Sequence, residues 1–223
     1  MPETLTPRQL AKAQNIERIK ELALRQLATE GAASLSLRAI ARELNLVSSA
    51  IYRYYASRDD LITALILDAY DDLADALETA GDTRRGARGR WVDTCLALRA
   101  WAVAAPHRFA LIYGSAIPGY AAPADTIVPA ARVVRALGAP VVADGFPAVR
   151  RSLARPLAEQ LRTTAAALEL DLPPSATLAL VEAFAHLVGA LTLELNGHFV
   201  GGFEPADALF AALVEDTANT LGL

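Results

Sequence analysis

The sequence predicts an all-α protein with a small three-helix helix-turn-helix head and a larger helical body. Three observations predict it. Apolar residues recur at steps of three and four along almost the whole chain, with no strand pattern and no internal repeat. Two short helical patterns, LRAIAREL and SSAIYRYY, are separated by only Asn45, Leu46 and Val47. With 223 residues, of which 53% are hydrophobic, the chain is long enough for one sizeable core with a small module attached.

Each element follows in order. Ile16, Ile19, Ala23 and Leu27 mark an amphipathic first helix that stops at Gly31. Ser36 caps a second helix whose Leu37, Ile40, Ala41 and Leu44 point inward. Asn45 tolerates a left-handed backbone, so it turns the chain into a third short helix over Ser48 to Tyr54. Ser57 and Asp60 form an acidic variant of the capping box and start a long helix to about Thr79. Residues 81–90, GDTRRGARGR, read as a linker or loop, and helices follow over Trp91–Ala104 and Pro106–Tyr113. After a breaker-rich loop, one helix runs from about Thr126 to Gly138, and the next from about Pro147 to Leu170 with a kink at Pro156. Ala176–Leu195 and a last helix opened by Pro205, with Leu209, Phe210, Leu213, Val214, Thr217 and Leu221 on one face, complete the chain. The domain boundary falls at residues 56 and 57, giving 1–56 and 57–223.

Composition narrows the function classes. A single cysteine, Cys95, excludes an internal disulfide and a cysteine metal pair, and the polar N-terminus has no apolar signal region, so a cytoplasmic location is expected. Of 21 basic residues only Lys12 and Lys20 are lysine, which together with the abundant alanine suggests a GC-rich bacterial source. The net charge of −4 disfavours a polyanion partner for the molecule as a whole. It is unevenly spread: the chain through Asp60 carries a small positive excess and the remainder is acidic. A basic head on an acidic body is the asymmetry expected when only the head meets DNA.

The stretch SSAIYRYYASRDDL concentrates three of the six tyrosines with two arginines. On a third helix, Ile51 and Tyr55 face inward, while Ser48, Ser49, Tyr52 and Arg53 face outward. Tyrosine hydroxyls donate to phosphate oxygens at little entropic cost, and guanidinium groups do so bidentately. Tyr54 and Arg58 are placed to grip the flanking backbone, and Arg38, one turn into the second helix, to reach a phosphate or a base edge.

SLSLRAIARELNLVSSAIYRYYASRDDLITALI resembles the DNA-binding segment of the TetR family of bacterial transcription regulators, the likeness covering roughly residues 12–65. The family pattern is Thr-x-Arg-x-Ile-Ala-x-x-x-Gly-Val-Ser, then Tyr-x-x-Phe and a Lys before an acidic helix start. The resemblance implies that Ser36 and Arg38 sit at the second-helix contacts, Tyr52 and Tyr54 at the phosphate-gripping aromatics, and Arg58 at the phosphate-binding lysine. Asn45 replaces the usual turn glycine, Tyr55 the phenylalanine, and Val47 the residue that caps the third helix. That lost cap costs about 1 kcal/mol unless Ser48 takes over. HLVGALTLELNGHF is similar to a subgroup of the family's ligand-sensing and dimerising domains.

The resemblance implies a transcriptional regulator, by family default a repressor, released from its operator by a small-molecule effector. Ala176–Leu195 is apolar nearly all round; Glu182 and Glu194 within it argue against a membrane span. Such a helix must be covered on every side, so with the last helix it is expected to build an intersubunit four-helix bundle. A homodimer then sets two recognition helices roughly 34 Å apart over a double-stranded, pseudo-palindromic operator. Candidate effector liners are Trp101, Phe109, Tyr113, Tyr120, Phe146, Phe184 and His186, with Tyr113 and His186 foremost because each brings a polar tip to an apolar setting. Two rivals remain. Glu182 with His186 and Glu194 with His198, each four apart, suit a metal-binding enzyme, although a buried Glu–His hydrogen bond and a loop histidine explain them more simply. No nucleophile elbow or phosphate loop supports catalysis, and no cofactor or metal is expected. The other rival is a helical interaction protein without DNA binding.

Overall fold

The computed structural model describes residues 6–31, 34–143 and 151–223, and all regular structure among them is helical. The chain divides into two compact units: Met1–Ala69 with His107–Thr126, and Tyr70–Pro106 with Ile127–Leu223.

The first unit begins with α1 (Pro7–Glu30). The Thr6 side chain accepts from the Gln9 amide at 3.3 Å while Gln9 Oε1 accepts from the Thr6 amide at 2.8 Å, a reciprocal cap that satisfies two orphan donors. Gly31 ends the helix at φ 77°, a conformation that favours glycine. Helix α2 (Leu37–Glu43) is capped by Ser36, whose Oγ accepts from the Ala39 amide at 3.3 Å. Asn45 takes φ 56° and turns the chain into α3 (Ser48–Ile51). That helix is shorter than expected, stopping at Ile51 rather than reaching Tyr54. Val47 stands at its N-cap without a side-chain hydrogen bond, so one turn lacks the help a Ser or Thr would give. Helix α4 (Arg58–Gly81) opens with the expected capping box: the Ser57 amide donates to Asp60 Oδ2 and the Asp60 amide to Ser57 Oγ, both at 3.0 Å. Ile19, Ile40, Ile51, Leu61 and Ile62 are fully buried and form the centre of this unit.

Helix α4 continues into the second unit, where α5 (Ala87–Ala104) begins four residues before the expected start. The reason is Arg88, which donates to Asn219 Oδ1 at 3.0 Å and to the Leu223 carbonyl at 2.7 Å and pairs with Glu215. These partners fix residues that composition alone assigns to a linker. Helix α6 (Pro106–Tyr113) matches expectation, and a 3-10 turn (Ala124–Thr126) precedes α7 (Ile127–Ala143).

Helix α7 passes through Gly138 and Pro140 instead of ending at Gly138. A Cβ at Gly138 would stand 3.0 Å from Leu170 Cδ1 and 3.1 Å from Leu180 Cδ2, so this glycine allows close approach rather than termination. Buried Val133, Leu137 and Val141 carry the helix past both breakers. The expected start near Pro147 lies outside the described residues. Helix α8 (Arg155–Ala167) starts later and ends earlier than expected, and Pro156 lies in its first turn, where a missing amide costs nothing, so it opens the helix rather than kinking it. Helix α9 (Pro174–Leu195) and helix α10 (Asp207–Leu221) close the chain. Trp91 is fully buried and its Nε1 donates to Thr217 Oγ1 at 3.2 Å, tying α5 to α10.

Candidate nucleic-acid interface

All eight residues singled out for DNA contact belong to the first unit. Helix α3 gives Ala50 and Ile51 to the core and leaves Ser48 and Ser49 exposed, and Tyr52 and Arg53, in the turn that follows it, are exposed as well. Arg38 on α2 is exposed, whereas the Ser36 hydroxyl is engaged as a cap. Arg58 is half-buried at the start of α4, its Nη1 3.4 Å from Asp59 Oδ1. Tyr54 is half-buried and its hydroxyl accepts from Asn15 Nδ2 at 3.0 Å, which leaves the phenolic proton to donate elsewhere. Sequence reasoning missed Asn15. Its partner lies 39 residues away, and no local pattern marks it.

Tyr55 packs as expected on the inner side. Burial pushes its phenol up, and the neighbouring Lys20 opposes that shift. Burial lowers Lys20 in turn, but Asp68 outweighs it: Lys20 Nζ lies 2.7 Å from Asp68 Oδ2, and the ammonium ends above its ordinary value. This pair clamps α1 to α4 behind the reading helix.

The described effector candidates belong to both units. The Phe109 and Tyr113 rings meet at a 56° tilt with centroids 5.3 Å apart in the first unit, and Tyr120 shares a 3.0 Å hydrogen bond with Thr63 there. Trp101 belongs to the second unit, largely buried, with Nε1 donating to Asp72 Oδ2 at 2.9 Å. Phe184 is half-buried on α9, and Phe146 lies outside the described residues. His186, expected in an interior pocket, is exposed on α9 and lines an open apolar groove of about 690 Å³ with Phe199, Phe203, Leu209 and Leu213. A cavity of about 350 Å³ borders Leu77, Gly81, Ala136 and Pro140 and touches none of the candidates.

In the two Glu–His pairs the carboxylates are engaged by arginine. Glu182 binds Arg151 at 2.6 Å and Glu194 binds Arg99 at 2.7 Å, so arginines take both carboxylates. No cluster of three ligating side chains occurs among the described residues. Helix α9 is long and apolar enough to cross a membrane by length and composition. Its two glutamates, both paired with arginine, and its packing against α8 and α10 fit a core helix instead.

Comparison with known proteins agrees with this geometry. A family profile described as "Bacterial regulatory proteins, tetR family" matches residues 19–65, and one described as "Tetracyclin repressor-like, C-terminal domain" matches residues 91–217. The HTH-type transcriptional regulator Rv1816 of Mycobacterium tuberculosis is 52% identical over 131 residues, which cover 56% of this chain and 55% of that protein. The match therefore spans about half the length of the curated relative. Among solved structures, SCO4313 shares 36% identity at a TM-score of 0.79, covering 96% of this chain and 100% of that one. A protein from Rhodococcus sp. RHA1 shares 26% identity at 0.61, covering 93% and 95%. A TetR from Acinetobacter baumannii AYE in complex with minocycline, 15% identical at 0.52 and covering 98% and 99%, shares the fold alone. The matched families and Rv1816 are described as transcriptional regulators rather than enzymes. Since the body match by itself covers more than half of the residues, the chain belongs to the TetR family of bacterial transcriptional regulators, built on a DNA-binding helix-turn-helix.

Proposed function

We propose that the protein is a cytoplasmic repressor that binds a pseudo-palindromic operator as a homodimer and leaves it when a small molecule binds the helical body. The observation that carries the DNA reading is the division of α3 and the turn after it, with Ala50 and Ile51 buried and Ser48, Ser49, Tyr52 and Arg53 exposed. Ser48, Ser49 and Arg53 face base edges, Tyr52, Tyr54 and Arg58 hold phosphates, and Ser36 sets the end of α2 against the backbone.

The apolar groove supports pairing through α9 and α10. Val181 and Leu193 are each 45% exposed on α9, and Phe203 is 57% exposed beside them. Large apolar side chains exposed on a helix that is buried along its other face suit a second copy. On this reading His186 faces the partner subunit and is not an effector ligand. The match to a tetracyclin repressor-like C-terminal domain, and the fold shared with a protein bound to minocycline, support a small-molecule effector. Helix α4 contributes to both units and is the natural carrier of the signal, with a coupling on the order of 1–3 kcal/mol.

The test is a mobility-shift titration of the purified protein against fragments of its own upstream region across a salt series, with the oligomeric state measured on the same sample. Binding of a dimer to a two-fold symmetric site, weakening steeply with salt, is expected. A folded protein with no sequence-selective binding at low salt defeats the reading and favours a helical interaction protein.

A further inference from the structure

We propose that the first two turns of α1 form a second DNA-binding element, in which Arg8 and Lys12 hold phosphates next to those gripped by Tyr54. This inference rests on the DNA-binding reading above.

Helix α1 is longer than the domain it serves. Its buried residues begin at Ile19, and Pro7 to Gln14 are all exposed. Eight exposed residues with nothing to pack against would ordinarily fray. Here the overhang is built as helix, with proline in the first turn and the reciprocal Thr6–Gln9 cap.

The overhang also has a directed charge. Between Pro7 and Ile16 the sequence holds Arg8 and Lys12 and no acid, and neither has an acidic partner among the described residues. At about 100° per residue, Arg8, Lys12, Asn15 and Ile19 fall within an arc of about 60°. The stripe that buries Ile19, Leu22 and Ala23 therefore turns basic where the helix leaves the domain. Asn15, on that same stripe, donates to the Tyr54 hydroxyl at 3.0 Å, which fixes where the stripe points. Lys12 and Arg8 stand about 4.5 and about 10.5 Å beyond Asn15 along the helix axis, on the side of Tyr54. Two cations continuous with the phosphate-gripping end of the reading unit suit one occupant, the sugar-phosphate backbone of the duplex beside the half-site.

The experiment compares wild type with an Arg8→Gln, Lys12→Gln double variant, by anisotropy titration of an upstream operator fragment across a salt series and by hydroxyl-radical protection. Each phosphate contact contributes about 0.9 to the slope of log K against log salt, so the variant should lose about 1.8 per subunit. It should also lose backbone protection beside each half-site while keeping the same operator preference. An Arg18→Gln, Arg84→Gln control removes equal charge from exposed positions off the stripe and should retain slope and protection. An Arg8→Lys, Lys12→Arg exchange should retain both as well. A double variant that matches a DNA-binding wild type in slope and protection overturns this inference alone. Equal losses in the control overturn it too, since net charge would then explain them. A folded wild type that binds no duplex overturns the DNA reading together with it.

Discussion

Replacing Arg99 with methionine should cost about 2–3 kcal/mol of stability. Arg99 reaches from α5 to α9 and α10: its Nε lies 3.0 Å and its Nη2 2.7 Å from the two Glu194 oxygens, and its Nη1 lies 2.9 Å from Asp207 Oδ1. The side chains of Arg99 and Glu194 are each only 16% exposed. Stripping one partner from a buried pair costs about 3–5 kcal/mol because the other charge is stranded. Residual solvent access at Glu194 lowers that figure here. Asp207 is largely exposed and adds little. Methionine keeps the aliphatic stem but forfeits the guanidinium over the Phe210 ring, 5.8 Å from its centroid, worth about 0.5–1 kcal/mol. For a chain of this length the total corresponds to a fall in Tm of roughly 5–10 °C. The assay is urea unfolding followed by circular dichroism at one fixed protein concentration, since any self-association makes stability depend on concentration. Adding Glu194→Gln should restore much of the loss, since replacing both partners is nearly neutral. A single variant costing under about 0.5 kcal/mol, or a double variant costing the sum of the two singles, would refute the reasoning.

Two further outcomes follow from buried polar groups. The Thr94 hydroxyl is fully buried with no hydrogen-bond partner among the described residues, so Thr94→Val should leave stability unchanged or raise it by about 1 kcal/mol; a drop of that size in urea unfolding would show that the hydroxyl is satisfied. His107 is held below its ordinary pKa of 6.5, first by burial and then by Arg108. The unfolded chain therefore takes up this proton more readily, and the stability His107 contributes is complete above about pH 6.5 and declines as pH falls through the folded value. His107→Gln should flatten the stability loss between about pH 7.5 and pH 5, and an unchanged profile would remove His107 as its source.

The features legible in the sequence are those set by a few neighbouring residues. Asn45, the Ser36 cap and the Ser57–Asp60 box lie where the sequence puts them, because each closes within three or four residues of chain. Gly138 misled the reading, since its role is the approach of Leu170 and Leu180, which only the folded chain brings near. Pro156 carries opposite meanings in a helix interior and in a first turn, and periodicity does not separate them. The division of α3 into an inner and an outer side was visible from spacing. The Asn15–Tyr54 and Arg99–Glu194 bonds were not, because partners 39 and 95 residues apart leave no local trace. The aromatic effector candidates carry no local signal either: apolar rings serve a core and a pocket equally well, and Trp101 and Phe109 are buried.

The four-residue α3 has a thermodynamic consequence. A single uncapped turn lies far below the length at which a helix sustains itself, so its order is borrowed from Ala50 and Ile51 in the core. The placement of the outer residues is therefore set from the inside: a change confined to the core under Ile51 shifts Ser48 and Ser49 although it touches neither.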